Sequence, residues 1–279
     1  MYPGIALSKG VDLYETKAGP LTTMYGPAMA LFYSPASIAS TPTNAIWIAY
    51  LFNLIGILTP IYFLIRKLFI NIEYSSLNQI IGSVSSVILV ISILQLEKTT
   101  IGILKIHADI AALSFILIAL CFFQTYEIKK SKSLIILISL FLVLAVWAKL
   151  PTLPVIIFPI LYLILERRYI EALTFLLIIC TTFFSISLAI FGLYGFGDVY
   201  YYIIQFPSGS MWSYRNDLFD GTGAVLKRHS FTEGIPLLFR FFVMFVEEYW
   251  YFIFSTIFLF IRSFSLKSEV KFLFRSISL

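Results

Sequence analysis

From Ala172 to Gly197 the chain carries no acidic or basic side chain. A helix crosses the hydrocarbon of a bilayer with about 20 apolar residues, and this run exceeds that length. It is one of several. The chain is 59% hydrophobic and 13% charged, with a mean hydropathy of +0.92. A soluble domain is nearer half apolar and about a quarter charged. The surplus is therefore not a larger core but a set of membrane-length segments. No short cleavable targeting signal stands at Met1.

Seven spans are predicted, at roughly 43–65, 78–96, 108–126, 133–148, 152–165, 169–193 and 247–265. Period-2 alternation is missing from them, so an all-α polytopic bundle is expected rather than a barrel. The fourth and fifth spans are short and are separated by KLPTLP at 149–154. Two prolines so close cannot continue one helix, which predicts a tight helical hairpin. A short surface helix is predicted over 28–38, with Pro27 in its first turn and Pro35 ending it. Residues 235–246 are too few to span, are interrupted by Arg240 and close on Glu247 and Glu248. They read as an interfacial helix feeding the last span. The whole of 1–279 is read as one transmembrane domain, with outer loops at 1–42 and 194–246.

Charge placement orients the bundle. Arg66, Lys67, Lys129, Lys130, Lys132, Arg167 and Arg168 occupy alternate connections, and Arg262, Lys267, Lys271 and Arg275 follow the last span. The opposite short connections hold only Lys98, Lys105 and Lys149. Positive residues favour the cytoplasm, so 1–42 and 194–246 are expected outside, in a prokaryotic plasma membrane. The basic residues serve topology, and no nucleic-acid partner is implied. Cys121 and Cys180 lie inside apolar runs and read as small hydrophobes.

The polar chemistry gathers on the expected outer face: Tyr25, His107, Asp109, Lys149, Arg215 and Asn216 are the candidate substrate-binding residues. Asp109 opens the third span, where the helix dipole favours a carboxylate. His107 stands two residues away, and on one helix such side chains do not share a face. A His–Asp metal pair is therefore not expected from that segment. Tyr25, Tyr33, Trp212 and Tyr214 suit sugar stacking as well as the headgroup belt. Asp217 and Asp220 lack the ligand spacing and closing Glu of a calcium loop.

Three segments carry a family resemblance. GVDLYETKAGPLTTMYGPAMALFYSP at 10–35 resembles the first outer loop of the GT-C superfamily of integral-membrane glycosyltransferases, through Gly10, Tyr14, Tyr25, Pro27 and Pro35. HADIAALSFILIAL at 107–120 is similar to the family segment in which an Asp opens a membrane helix. WAKLPTLPVIIFPILYLILER at 147–167 resembles its Lys-x-Pro hairpin and the Pro-bearing span that follows. The resemblance implies transfer of a sugar from a polyprenyl-phosphate donor to a lipid or glycan acceptor at the outer surface, among membrane lipids. It implies that Lys149 meets the carrier phosphate, with Arg215 and Arg228 as further cations. No cofactor is certain, and a divalent metal is compatible with the chemistry. In such enzymes the first span is followed at once by an acid, taken as catalytic base or metal ligand. Aligned here, that acid falls at or before Met1, so the chain is expected to begin late and to be inactive as this fragment, and the catalytic residue is unassigned. The alternatives are a transporter or flippase and a non-catalytic membrane scaffold. A transporter would need mid-span ionisable residues or broken helices at the midplane.

Overall fold

Small residues decide how close these helices come. Lipid tails are as apolar as leucine, so helices in a membrane associate by packing and not by hydrophobic exclusion. The computed structural model describes residues 2–14, 25–70 and 106–205. All regular structure among them is helical. The elements up to Gly195 form one compact unit. In order they are α1 (Tyr2–Ser8), α2 (Pro27–Tyr33), a 3-10 turn at Ser34–Ile38, α3 (Pro42–Ile70), α4 (Ala108–Lys129), α5 (Lys132–Ala148), a 3-10 stretch at Leu150–Ile157, α6 (Phe158–Leu165) and α7 (Tyr169–Tyr194). A second unit begins at Phe196 and contains α8 (Phe196–Tyr200) and a π turn at Tyr201–Gln205. Within it the Phe196 and Tyr200 rings stack.

Among the described residues, three helices are long and apolar enough to cross a membrane: Pro42–Leu64 within α3, then α4 and α7. The predicted spans at 133–148 and 152–165 are helices too, but shorter ones. The predicted spans at 78–96 and 247–265, and the interfacial helix at 235–246, lie outside the described residues. The predicted outer loop 1–42 is more helical than its composition suggests. Its short helix starts at Pro27, as proline's fixed φ favours, and ends in the 3-10 turn containing Pro35. The added helix α1 forms despite Pro3 and Gly4. A Cβ on Gly4 would stand 2.6 Å from the Tyr33 carbonyl carbon, so only glycine lets α1 lie against the end of α2.

α4 and α5 form an antiparallel hairpin. Both bury small side chains, Ala111, Ala112, Ser114 and Ala119 on α4, and Ser139, Ala145 and Ala148 on α5. The turn between them uses Lys130 in the left-handed region, φ 51°, with its N–H returning to the Tyr126 carbonyl at 2.8 Å. α3 runs parallel to α4: Gly56 abuts Ser114, and Cys121 Sγ donates to the Pro60 carbonyl at 3.2 Å. Pro60 sits inside α3, where it removes one helical hydrogen bond. The end of α4 is set by rings. Phe123 meets Phe158, Tyr162 and Phe175 edge-on at centroid distances of 5.4–5.7 Å. Among the described membrane-length helices α7 is the least buried, with Ile170, Leu173, Leu177, Phe184 and Leu188 exposed. Such a face suits hydrocarbon and not water.

Candidate functional site

The chain folds so that Tyr25, His107, Asp109 and Lys149 meet at one end of the helices. Each is held there by its own backbone. α5 stops at Lys149 because Pro151 cannot follow in helical register, and Lys149 turns extended, φ −149° and ψ 109°. Its carbonyl then accepts from both the Thr152 N–H, 3.0 Å, and the Thr152 hydroxyl, 2.8 Å. That clamp fixes the stem from which the lysine projects.

His107 is the N-cap of α4, in extended conformation at φ −141° and ψ 158°. Its backbone is gripped by Tyr33. The Tyr33 hydroxyl donates to Asn53 Oδ1 at 2.7 Å and accepts the His107 N–H at 3.2 Å. Tyr33 and Asn53 are fully buried, so this node joins α2, α3 and the start of α4 without water. Burial pushes the Tyr33 phenol well up, partly opposed by its bonds to His107 and Asn53. It stays a neutral donor.

Tyr25 is held by Tyr14, whose hydroxyl donates to the Tyr25 carbonyl at 2.8 Å. Tyr14 is itself buried and packs edge-on against Tyr194 at 5.1 Å. The next residue is Gly26, where a Cβ would fall 1.7 Å from the Trp147 carbonyl oxygen. Only a glycine permits this approach to the last turn of α5, and the approach brings Tyr25 to the site.

Three polar contacts then run in series. Tyr25 Oη lies 2.7 Å from His107 Nε2, His107 Nδ1 lies 2.7 Å from Asp109 Oδ2, and Lys149 Nζ bonds Asp109 Oδ1. Two acceptors would repel at 2.7 Å, so Nδ1 carries a proton toward the carboxylate. The Asp109 N–H also approaches Nδ1, at 3.4 Å, but that contact is the weaker one. With the proton on Nδ1, Nε2 holds a lone pair and the Tyr25 hydroxyl donates to it. Burial, then the Asp109 charge, raises the Tyr25 phenol above its ordinary value, which keeps it a donor. The carboxylate is half exposed, at 52%, and the lysine side chain is 28% exposed. The pair is thus open to an incoming anion or hydroxyl.

The contact between His107 and Asp109 corrects the sequence reading. The face argument placed both residues on one helix, where two positions apart means opposite sides. His107 is instead the extended cap, and its ring folds back over the first turn onto Asp109. Asp109 in turn serves the lysine and the histidine, not only the helix dipole. Arg215 and Asn216, with the rest of the 206–279 stretch, lie outside the described residues. Among the described residues no three His, Cys, Asp or Glu side chains are grouped to hold a metal ion. Tyr33, read as suited to the headgroup belt or to sugar stacking, anchors His107. Its signal was available only as an aromatic at the end of a short helix.

A second polar cluster occupies the opposite end. Arg168 binds Glu127 with Nη1 at 2.8 Å from both carboxylate oxygens, and Glu171 through Nε at 2.8 Å and through Nη2. The Tyr126 hydroxyl donates to Glu171, and Lys130 Nζ reaches Glu127 at 3.1 Å. The sequence reading took Lys130 and Arg168 for topology alone and did not pair them.

The described residues thus define a helical protein with three membrane-length helices and a Tyr–His–Asp–Lys series at one end. No protein-family model, curated protein or solved structure matches the chain.

Proposed function

We propose that the chain is an integral-membrane glycosyltransferase of the GT-C kind. It transfers a sugar from a polyprenyl-phosphate donor to a lipid or glycan acceptor on the outer face of a prokaryotic plasma membrane. The observation that carries this reading is the ion pair of Lys149 with Asp109 at the Tyr25 end of α4 and α5. Lys149 and Asp109 stand in segments that resemble the family's Lys-x-Pro hairpin and its Asp-opened helix. Charge supports the orientation: Lys129, Lys130, Lys132, Arg167 and Arg168 all belong to the other end, which the positive-inside rule assigns to the cytoplasm.

The chemistry follows from the leaving group. A polyprenyl phosphate departs with a developing negative charge near headgroup level. A lysine half shielded from water stabilises that charge more than one in bulk solvent. Lys149 exchanges part of its bond with Asp109 for the phosphate, and Arg215 and Asn216 are the loop residues proposed to complete the donor site. The test is sugar transfer from a polyprenyl-phosphate donor by membranes carrying the chain. Lys149→Ala is expected to lower transfer by roughly a hundredfold, the scale of losing one charge-stabilising donor. Lys149→Arg recovers only part, since a planar fork replaces a point charge. Unchanged transfer by the alanine variant makes Lys149 an interfacial anchor, and absence of transfer by the parent chain ends the reading.

A further inference from the structure

We propose that His107 is the general base of this chain, oriented by Asp109, and that Tyr25 marks the seat of the acceptor hydroxyl. The inference rests on the transferase reading above, and it departs from the family resemblance in placing the proton acceptor on His107 and not on an acid at or before Met1. The geometry has three parts. His107 Nδ1 is tied to Asp109 Oδ2 at 2.7 Å, which fixes one tautomer and leaves the Nε2 lone pair outward. The Tyr25 hydroxyl fills that lone pair at 2.7 Å, the distance an acceptor hydroxyl would take. The other oxygen of Asp109 holds Lys149, so one carboxylate joins the base to the cation proposed for the leaving phosphate.

The step balances within these groups. The acceptor hydroxyl displaces Tyr25 and gives its proton to His107 Nε2. Its oxygen bonds the anomeric carbon while the bond from that carbon to the phosphate oxygen breaks. The electron pair leaves with the phosphate, beside Lys149. The imidazolium is stabilised by Asp109, and it then returns its proton to solvent. Asp109 touches neither reacting atom and is a positioning residue. The backbone grip of Tyr33 on His107 keeps Nε2 in place through the cycle. Tyr25 has the companion role: raised by burial and by the Asp109 charge, its phenol does not compete for the proton.

The experiment uses the full chain in native membranes with a polyprenyl-phosphate sugar donor. His107→Ala is expected to lower kcat by about 10²–10⁴-fold while the donor KM changes less than about threefold. His107→Asn, which retains an N-cap side chain, should be equally slow, so a lost cap does not explain the defect. Added imidazole should restore part of the His107→Ala rate and none of the Lys149→Ala rate. Tyr25→Phe should make His107 react faster with diethyl pyrocarbonate, because Nε2 loses its cover. Groups facing His107 that bear on any pH profile are Tyr25, Tyr33, Asp109 and, through Asp109, Lys149. An active parent with normal kcat in both His107 variants, or no imidazole rescue, overturns the base assignment and leaves the transferase reading standing. An inactive parent overturns both.

Discussion

The two ends of the helices solve the same problem differently. At the Arg168 end, one guanidinium bonds all four oxygens of two carboxylates, and a tyrosine and a lysine add a second bond to one oxygen of each. Arg168 is 22% exposed and Glu127 19%. Arg168, Lys130, Glu127 and Glu171 each face an opposite charge there. At the Lys149 end, the carboxylate is 52% exposed, against 19% for Glu127 and 35% for Glu171, and the polar series runs from it to Tyr25. A closed set of charges holds helices in register, because exchanging any partner strands another. An open series can trade a partner for a ligand at small cost. The difference suits architecture at one end and, on the function proposed above, chemistry at the other.

The largest effect should come from the backbone contact that builds the open end. Gly26→Ala would put a methyl group 1.7 Å from the Trp147 carbonyl oxygen, and neither backbone can yield like a side chain. We expect a loss of about 3 kcal/mol or more, seen as a lower unfolding midpoint in detergent, together with loss of any Tyr25-dependent activity. The control is Gly56→Ala, where the obstacle 2.6 Å away is the Ser114 hydroxyl, a group that can rotate. Equal losses from the two would show that α2 does not need its close seat on α5.

The next test breaks the comparison directly. Arg168→Ala strands Glu127 and Glu171 together, half buried, and should cost about 2 kcal/mol, between the values for surface and buried pairs. Asp109→Ala removes one partner of an exposed pair and should cost less than about 1 kcal/mol while abolishing most activity. If unfolding shows the Asp109 variant as unstable as the Arg168 variant, the open end is structural too and the contrast fails.

The sequence made parts of this legible and hid others for physical reasons. The stop at Lys149 follows from Pro151 and Pro154, because proline's geometry acts locally and leaves no alternative. The start of α4 near Asp109 and the helix beginning at Pro27 were visible on the same ground. Three membrane-length helices follow from run length alone. The His107–Asp109 contact was not visible, since it depends on His107 leaving helical geometry by a single residue. α1 was hidden because Pro3 and Gly4 read as a loop, and only the Tyr33 backbone explains the glycine. The pairing of Arg168 with Glu127 crosses from α4 to the turn before α7. Charge counting along loops cannot find a partner that lies a helical hairpin away.

A smaller effect should come from pH. Burial raises the phenols of Tyr14, Tyr25 and Tyr33, all at the Lys149 end. A group whose folded value is raised favours folding fully below its unfolded value, about 10 for tyrosine, and loses that contribution as pH climbs past it. Stability should therefore fall above about pH 10, with tyrosinate absorbance appearing only as the protein unfolds. Tyr33→Phe should lessen that slope. It should also cost about 1–2 kcal/mol at neutral pH, because Asn53 Oδ1 loses its 2.7 Å donor in a dry site. Free ionisation of all three tyrosines near pH 10 in the folded protein would mean that this end is wetter than its packing.

The smallest effect tests an exception at the closed end. Gln124 is 7% exposed, one turn before Glu127, and its Oε1 has no hydrogen-bond partner among the described residues. It lines a shallow cavity of about 300 Å³ with Thr59, Pro60, Phe63, Cys121 and Phe122. A buried acceptor left unpaired is a cost that a shape-matched apolar group removes. Gln124→Leu should thus be neutral or stabilising by up to about 1 kcal/mol, with the Arg168 network intact. A loss of that size instead would mean that the amide has a partner in the folded membrane protein. The closed end would then extend one turn deeper into α4 than its ion pairs mark, and the boundary between the two regions would move toward the middle of the helix.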